Sequence, residues 1–582
     1  MKTFYGVTLS AFLFFLASCS SEENKMASFE EHKEHFVNDL WKMYPGWASS
    51  VGFHDYDSVL TIPNDAQREK ELKFIDEHLE MLHAFDKSEL SESDRIDYQL
   101  IENYLEGSKW EIKTFKSWEW NPSNYNVCGG FAEMLANEQL PLETRLRSIS
   151  KRLEKVPAFY EAAIENIKNP TLEHTQLAID QNQGGSSVFA TELPDQIAKS
   201  KLTQQEKQEL MKNTKVAEEA VLHFVSYLAN MPNPTPRSFR LGSELYKQKF
   251  EFDIQSNNSA KEVYNKAMEH KKMLHAKMVK ISKQLWTKYF GQETPPKDEY
   301  TMVRMVIDKI SEQHTTPENF QKEIENQIPE LTAFVKKKDL LYLDPKKPLV
   351  VRKEPDYMAG VAGASISAPG PYDKNGKTYY NVGSMSGWSA EQSESYLREY
   401  NDYVLQILNI HEAIPGHYAQ LVYSNQSPSI IKSILGNGAM IEGWAVYTEL
   451  MMLENGYGAA KGEKTASPEM WLMYYKWNLR TTCNTILDYS VHNLNMSKET
   501  AMDLLTRQAY QQQAEAEGKW KRATLTQVQL CSYFTGFSEI IELRKDLKKK
   551  LGMNFNLKEF HEEFLSFGSA PVRDVRKLML KQ

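Results

Sequence analysis

The sequence predicts a mainly helical protein with one small β element, and three observations carry that prediction. Apolar residues recur at helical spacing through most of the chain from Phe29 onward. The segment Met231-Pro232-Asn233-Pro234-Thr235-Pro236 excludes helix and stiffens a linker, so it divides the helical body. From Val361 to Trp388 the composition shifts to Gly, Ala, Ser and Tyr and includes Lys377-Thr378-Tyr379-Tyr380-Asn381-Val382, the one strand-like run. Over 582 residues the chain is 41% hydrophobic and 25% charged, a globular mix that excludes a disordered or fibrous protein. The net charge of −9 argues against a nucleic-acid partner, which needs a Lys/Arg surplus on at least one face. Aromatic residues, at 11%, are numerous enough to line a large groove.

At the amino end, Lys2 precedes an uncharged run from Phe4 to Leu16. It is shorter than the roughly 20 apolar residues that span a bilayer and matches a signal-peptide core. It ends in Leu16-Ala17-Ser18-Cys19, which resembles the bacterial lipobox, where the cysteine becomes the lipid-modified first residue. The expected division is therefore a signal peptide over 1–18, a polar tether over 19–28, an N-terminal helical lobe over 29–231 and a metal-binding lobe over 237–582. Such a protein sits in the bacterial cell envelope, periplasmic or on the outer-membrane surface, and meets the membrane only through the lipid on Cys19. No later uncharged run is long enough to span a bilayer. Cys128, Cys483 and Cys531 are then left, an odd number that leaves at least one thiol unpaired within the chain; Cys483 and Cys531 can pair.

Along the body, Ser91 and Asp94 form a variant capping box ahead of a helix through Ile101. Leu142 to Lys168 has helical spacing and stops before Asn169-Pro170. Gln183-Gly184-Gly185-Ser186-Ser187 lacks the Gly-Lys-Ser/Thr ending of a phosphate loop and reads as a turn between helices. Further helices are expected over Ser259–Phe290 and Thr316–Lys337. A capping box at Ser389-Ala390-Glu391-Gln392 opens a helix whose buried stripe is Leu397, Tyr400, Val404, Ile407 and Leu408.

That helix delivers His411-Glu412-Ala413-Ile414-Pro415-Gly416-His417. In the common zinc motif the histidines are four apart and share a helix face; here they are six apart, about 120° around an ideal helix. Pro415 cannot continue the helix past the carbonyl of His411, and Gly416 tolerates backbone angles that other residues resist. A two-residue bulge at this point can swing His417 back beside His411, so the long spacing and the breaker explain one another. Glu412, beside the first ligand, is the expected base for the attacking water. The third ligand is expected to be Glu442, in Met440-Ile441-Glu442-Gly443-Trp444-Ala445-Val446-Tyr447-Thr448-Glu449, since two His and one Glu form an open catalytic Zn2+ set. Glu449, within about 20° of the same face, either hydrogen-bonds a ligand imidazole or makes a surface salt bridge.

A later helix carries Arg480, Asp488 and His492. Asp488 and His492, four apart, either orient His492 as an oxyanion donor or simply tie helices together. Tyr533 is a second oxyanion candidate, or core.

Taken together, His411-Glu412-x-x-Pro415-Gly416-His417, Glu442-Gly443-Trp444-Ala445-x-Tyr447-x-Glu449, Arg480…Asp488…His492 and Gln529-x-x-x-Tyr533 resemble the bacterial family of domain of unknown function 885, many of whose members are lipoproteins. Arg152-Leu153, Leu241-Gly242…Tyr246, Leu543-Arg544, Phe560-His561 and Gly568-Ser569-Ala570-Pro571 extend the resemblance over nearly all of the mature chain. It implies a two-lobed helical fold like that of the gluzincin metallopeptidases, such as thimet oligopeptidase and angiotensin-converting enzyme, with a channel between the lobes. Two positions depart from the family pattern: Tyr418 stands where a second His is usual, and Gln527-Val528 where Pro-Gly is usual.

The expected function is that of a zinc metallopeptidase of oligopeptidase or carboxypeptidase type, acting on short peptides. Tyr379, Tyr380 and Asn381 would lie on an edge strand that pairs with the peptide, or in a purely structural hairpin. The rivals are a tethered lipoprotein that binds peptides or glycans without chemistry, and a zinc amidohydrolase acting on a non-peptide amide.

Overall fold

Helix starts follow the polar residues that the chain offers. In the computed structural model, which describes residues 28–354, 364–373 and 376–581, Ser28, Ser259 and Ser389 each cap a helix reciprocally with a Glu or Gln three residues on. Ser91 caps Glu92–Trp110, but Asp94 answers the Ser91 hydroxyl rather than its backbone. The helix after Thr316 starts only at Phe320 and runs to Lys337.

Two single-helix expectations are corrected. Leu142–Lys168 is two helices, Leu142–Leu153 and Val156–Asn166, because Pro157 suits the first turn of a helix and not its interior. Ala390–Glu399 and Asp402–Glu412 are likewise separate: the Asn401 side chain accepts from the N–H groups of Tyr403 and Val404 and starts a new helix. The five residues of the stripe are buried all the same. The turn expected over Gln183–Ser187 is shorter than the motif: helix Leu172–Gly185 takes in both glycines and Ser186 makes the turn toward the next helical segment, Val188–Glu192.

The strands among the described residues form one sheet, β1 (Leu349–Lys353), β2 (Ala364–Ser367) and β3 (Thr378–Val382), in the order β1-β3-β2. β3 is parallel to β1, with Leu349 opposite Thr378, and antiparallel to β2, with Ala364 opposite Val382. The expected edge strand is therefore central, with both of its hydrogen-bonding sides taken. β1, which sequence spacing did not single out, is only half-buried, and its pairing with β3 is set by contacts distant in sequence.

Buried apolar residues fall into two clusters. The smaller spans Tyr125 to Leu228, and the larger joins Phe29–Leu105 to residues from Tyr246 to Met579. The first long helices thus pack with the half that carries His411, His417 and Glu442, across the proline boundary at Pro232–Pro236. Cys128, Cys483 and Cys531 are all buried free thiols, so the Cys483–Cys531 bridge is not formed.

At the centre, helix Gly438–Glu454 is buried on nearly every side, as its all-round apolar sequence requires. It crosses helix Ser532–Leu551 at Gly443 and Gly536. A Cβ on Gly536 would lie 1.7 Å from the Ala439 carbonyl oxygen, and one on Gly443 2.4 Å from the Gly536 backbone. No side chain fits between them, so the Glu442 and Tyr533 helices touch backbone to backbone.

This contact predicts that Gly536→Ala lowers stability by about 3 kcal/mol or more in denaturant unfolding, because backbone cannot yield as a side chain can. Gly518→Ala, exposed in a helix interior with open space around it, should instead gain about 0.5–1 kcal/mol. Equal effects of the two substitutions would show that the crossing is not tight.

Candidate metal centre

The site is assembled from three helix segments. Helix Asp402–Glu412 ends at Glu412, the chain turns through Ala413-Ile414-Pro415-Gly416, and a new helix, His417–Ser424, begins at the second histidine. The break is thus a full stop and restart rather than a bulge in one helix. Gly416 is needed for closeness rather than for an unusual φ: it lies at −74°, but a Cβ would sit 1.8 Å from the His411 carbonyl oxygen. The turn is held by the Trp444 indole N–H, which donates to the Pro415 carbonyl at 2.9 Å.

His411, His417 and Glu442 converge, with one donor atom from each lying within 4.8 Å of the others. Glu442 Oε2 is 3.7 Å from His411 Nε2 and 3.4 Å from His417 Nε2, and the two rings stand perpendicular. Glu449 is fully buried, and its Oε1 accepts from His411 Nδ1 at 2.7 Å and from the Trp477 indole at 3.1 Å. With Nδ1 held by Glu449, His411 turns Nε2 toward His417 and Glu442, where that nitrogen can act as a ligand once it gives up its proton. Glu449 is therefore an imidazole partner and not a surface salt bridge.

Electrostatics follow from burial. Burial alone would lower the His411 pKa, but the Glu442 and Glu449 carboxylates raise it to about 10. Against burial, the two histidines hold Glu442 well below the ordinary carboxylate range. Burial pushes the carboxyls of Glu412 and Glu449 up. Tyr533 stacks on the His411 ring at 6.4 Å, and its hydroxyl oxygen accepts from Arg522 at 2.9 Å, leaving the hydroxyl proton free to donate elsewhere.

Sequence reasoning missed a basic group beside this centre. The Arg480 Nε donates to Glu515 at 2.9 Å and its guanidinium packs over Trp477; Lys519 lies 3.9 Å from the same Glu515. Arg522 donates to the neutral Gln529 and Tyr533. Lys519 is buried, and burial together with the Arg480 charge pulls its ammonium well below the ordinary lysine range. Glu515, Lys519 and Arg522 share one face of helix Gln513–Leu525, a pattern that in sequence looks like solvated i,i+4 pairing.

Five expected residues do other work. His492 is buried, donates from Nε2 to the Ala523 carbonyl at 2.9 Å and accepts the Leu241 N–H on Nδ1 at 3.4 Å. Both nitrogens are occupied by backbone, so it is not an oxyanion donor. Asp488 does not orient it: one oxygen accepts from the Tyr246 hydroxyl at 2.6 Å and the Val528 N–H at 3.0 Å. Tyr380 is buried, with its hydroxyl donated to Asn409, and Asn381 is consumed by Arg352, Ser365 and Ser367. Neither is free for a substrate, and Tyr379 lies under the Arg352 guanidinium. Cys19 lies outside the described residues.

The departures from the family pattern also have structural readings. The Tyr418 hydroxyl donates to the Lys347 carbonyl. Val528 sits at φ +71°, a region that glycine adopts freely and a β-branched residue does not.

Fold and site together define a large helical protein in which two histidines and a glutamate meet beside a second, half-buried glutamate, Glu412. The chain belongs to the family described as bacterial protein of unknown function (DUF885), which it matches over residues 45–579. Two solved structures are similar to it. A protein from Shewanella oneidensis, described as a lipoprotein of unknown function, is 52% identical over 95% of this chain and 100% of its own, with a TM-score of 0.85. A second, from Colwellia psychrerythraea and also described as a lipoprotein, is 16% identical over 96% of this chain and 99% of its own, with a TM-score of 0.77, and shares the fold. No curated protein matches significantly. No helix among the described residues is long and apolar enough to cross a membrane.

Asp488 generates a pH prediction. Burial pushes its carboxyl up to about 7 from 3.8. Between those values the native protein holds a proton that the unfolded chain releases, so its contribution to stability falls as pH rises from 4 to 7. Urea unfolding of wild type against Asp488→Asn should show the difference shrinking by up to about 4 kcal/mol over that range. Parallel pH profiles would mean that Asp488 is already ionised near pH 4.

Proposed function

We propose that the protein is a zinc-dependent metallopeptidase acting on short peptides, with a gluzincin-like two-lobed body. One observation carries the reading: Glu442 Oε2 is buried, has no hydrogen-bond donor, and faces a nitrogen of both His411 and His417. An unpaired buried carboxylate oxygen is costly, and a dication held by these three residues satisfies it. The donor chemistry is that of an open catalytic zinc site. Bound zinc would supply the Lewis acid that polarises the scissile carbonyl and acidifies water.

The remaining work falls to side chains of this protein. Glu412 takes a proton from the attacking water on its carboxylate and delivers it to the leaving amine, a role that its burial-raised pKa favours. Glu449 keeps the proton of His411 on Nδ1. Tyr533 offers its free hydroxyl proton to the developing oxyanion. The outer edge of β2 has no strand partner among the described residues and helix Asp402–Glu412 packs against this strand, so an extended peptide could pair there instead of on β3. The basic group of Arg480, Lys519 and Arg522 suits the carboxylate at a peptide's end. Lipid attachment at Cys19, in the cell envelope, is supported by the description of both structural relatives as lipoproteins.

Zinc content and hydrolysis of a peptide mixture test the chemistry together. Glu412→Gln should keep its metal and lose about 10²- to 10⁴-fold in kcat, whereas His417→Ala should lose both. Full activity in Glu412→Gln, or wild-type protein without metal above background, sinks the mechanism.

Substrate orientation is tested separately. Lys519→Met should cost about 10- to 100-fold in kcat/KM on free-acid peptides and little on the same peptides amidated at the C-terminus. Equal losses on both would remove the carboxylate from the reading.

A further inference from the structure

A second convergence of donors lies far along the chain from the first, in the opening helices of the body. Helix Phe29–Met43 carries His35 and Asp39 one turn apart, so both side chains leave the same face. Helix Asp65–His83 brings His78 against them. One donor atom from each of His35, Asp39 and His78 lies within 4.8 Å of the others.

We propose that His35, Asp39 and His78 form a second metal site, one that takes a transition-metal dication of the Zn2+ class and staples the first long helix to the second.

The spacing is one that ligands of a single ion adopt. Asp39 Oδ2 stands 3.3 Å from His35 Nε2 and 3.5 Å from His78 Nε2. An ion held tetrahedrally at about 2.0–2.2 Å keeps its ligand atoms about 3.3–3.6 Å apart. Two imidazoles and a carboxylate also form the borderline donor set that selects zinc, nickel or copper over calcium or magnesium. The other oxygen of Asp39 is engaged by Lys42 at 2.8 Å, which fixes the carboxylate with Oδ2 turned to the rings.

The surroundings favour a site loaded from solvent. The His35 side chain is 42% exposed and that of Asp39 28%, while His78 is 2% exposed and anchors the inner side. Beneath them His32 is fully buried with neither ring nitrogen hydrogen-bonded, and its ring lies 6.2 Å from that of His78. Two imidazoles thus face a single carboxylate, with the unpaired ring of His32 behind His78, an arrangement that serves a cation better than it serves hydrogen bonding within the protein.

This centre differs from the first in what it lacks. Its ligands are not followed by a glutamate placed as Glu412 is, and its aromatic neighbours Phe36 and Phe74 carry no proton. It is therefore assigned to structure, tying the helix next to the amino-terminal tether to the body, and not to hydrolysis.

The test counts zinc bound per chain in the full mature protein after equilibration with Zn2+ and removal of excess, alongside the thermal midpoint. Wild type should bind two ions; His35→Ala and Asp39→Asn should each bind one, keep activity, and lose one step of the zinc-dependent rise in melting temperature. His417→Ala should also bind one, lose activity, and keep that step. His35→Ala is a surface change, so a folding failure there is not expected, and Asp39→Asn provides a second variant. A wild type with one ion that His35→Ala removes and His417→Ala spares would support this site and overturn the catalytic one. His35→Ala and Asp39→Asn binding as much zinc as wild type would overturn the inference.

Discussion

The backbone contact of Gly443 with Gly536 is the constraint on which the rest of the site depends. With no side chain between them, helix Gly438–Glu454 is held against helix Ser532–Leu551 at a fixed depth. Everything that projects from the first helix is then aimed: Glu442 at the two histidines, Trp444 at the Pro415 carbonyl, Tyr447 at His561, and Glu449 at His411. One helix thus supplies the carboxylate that faces both histidines, the clamp on the histidine turn, a brace to the carboxyl-terminal helices and the orienter of an imidazole. A side chain at the crossing would move all four together.

The second organising feature is charge held out of water. Glu442, Glu449 and Glu412 crowd around two histidines, and the positive counterweight stands nearby in Arg480, Lys519 and Arg522. Such a cluster costs heavily unless each charge finds a partner. Most do: Glu449 between His411 and Trp477, Arg480 against Glu515. The least completely matched are Glu442 Oε2, which meets two histidine nitrogens without a hydrogen bond, and Lys519, and these are the points where a ligand would complete the arrangement. Polar groups left unsatisfied in an otherwise well-paired interior mark the place where function enters.

Several residues that look catalytic by type prove to be braces. His492 clamps the Leu241–Gly242 segment to helix Gln513–Leu525, and Asp488 binds Tyr246 and the Val528 backbone. Trp444 and Tyr447 are fully buried and line no groove. Their spacing in the chain is that of a functional motif because it keeps long-range contacts that hold the Tyr533 loop and the histidine turn in place. Residue type and spacing do not separate a ligand from its support; only the partners of each polar atom do.

The sequence by itself determined the helical class, most helix starts, the break at Pro415-Gly416 and the trio His411, His417 and Glu442. Those features depend on local rules: caps, periodicity, proline, and side-chain donors within a few residues of a helix breaker. The tertiary structure alone decided that β3 is central and β2 the edge, that Phe29–Leu105 joins the core around the histidine pair, that Lys519 is buried and that Arg522 turns to Gln529 and Tyr533. It also decided that His78 meets His35 and Asp39. Strand pairing, core membership and the inner face of a charged helix are set by contacts between residues far apart in the chain. A local pattern of polar and apolar residues is the same whichever distant partner it finds.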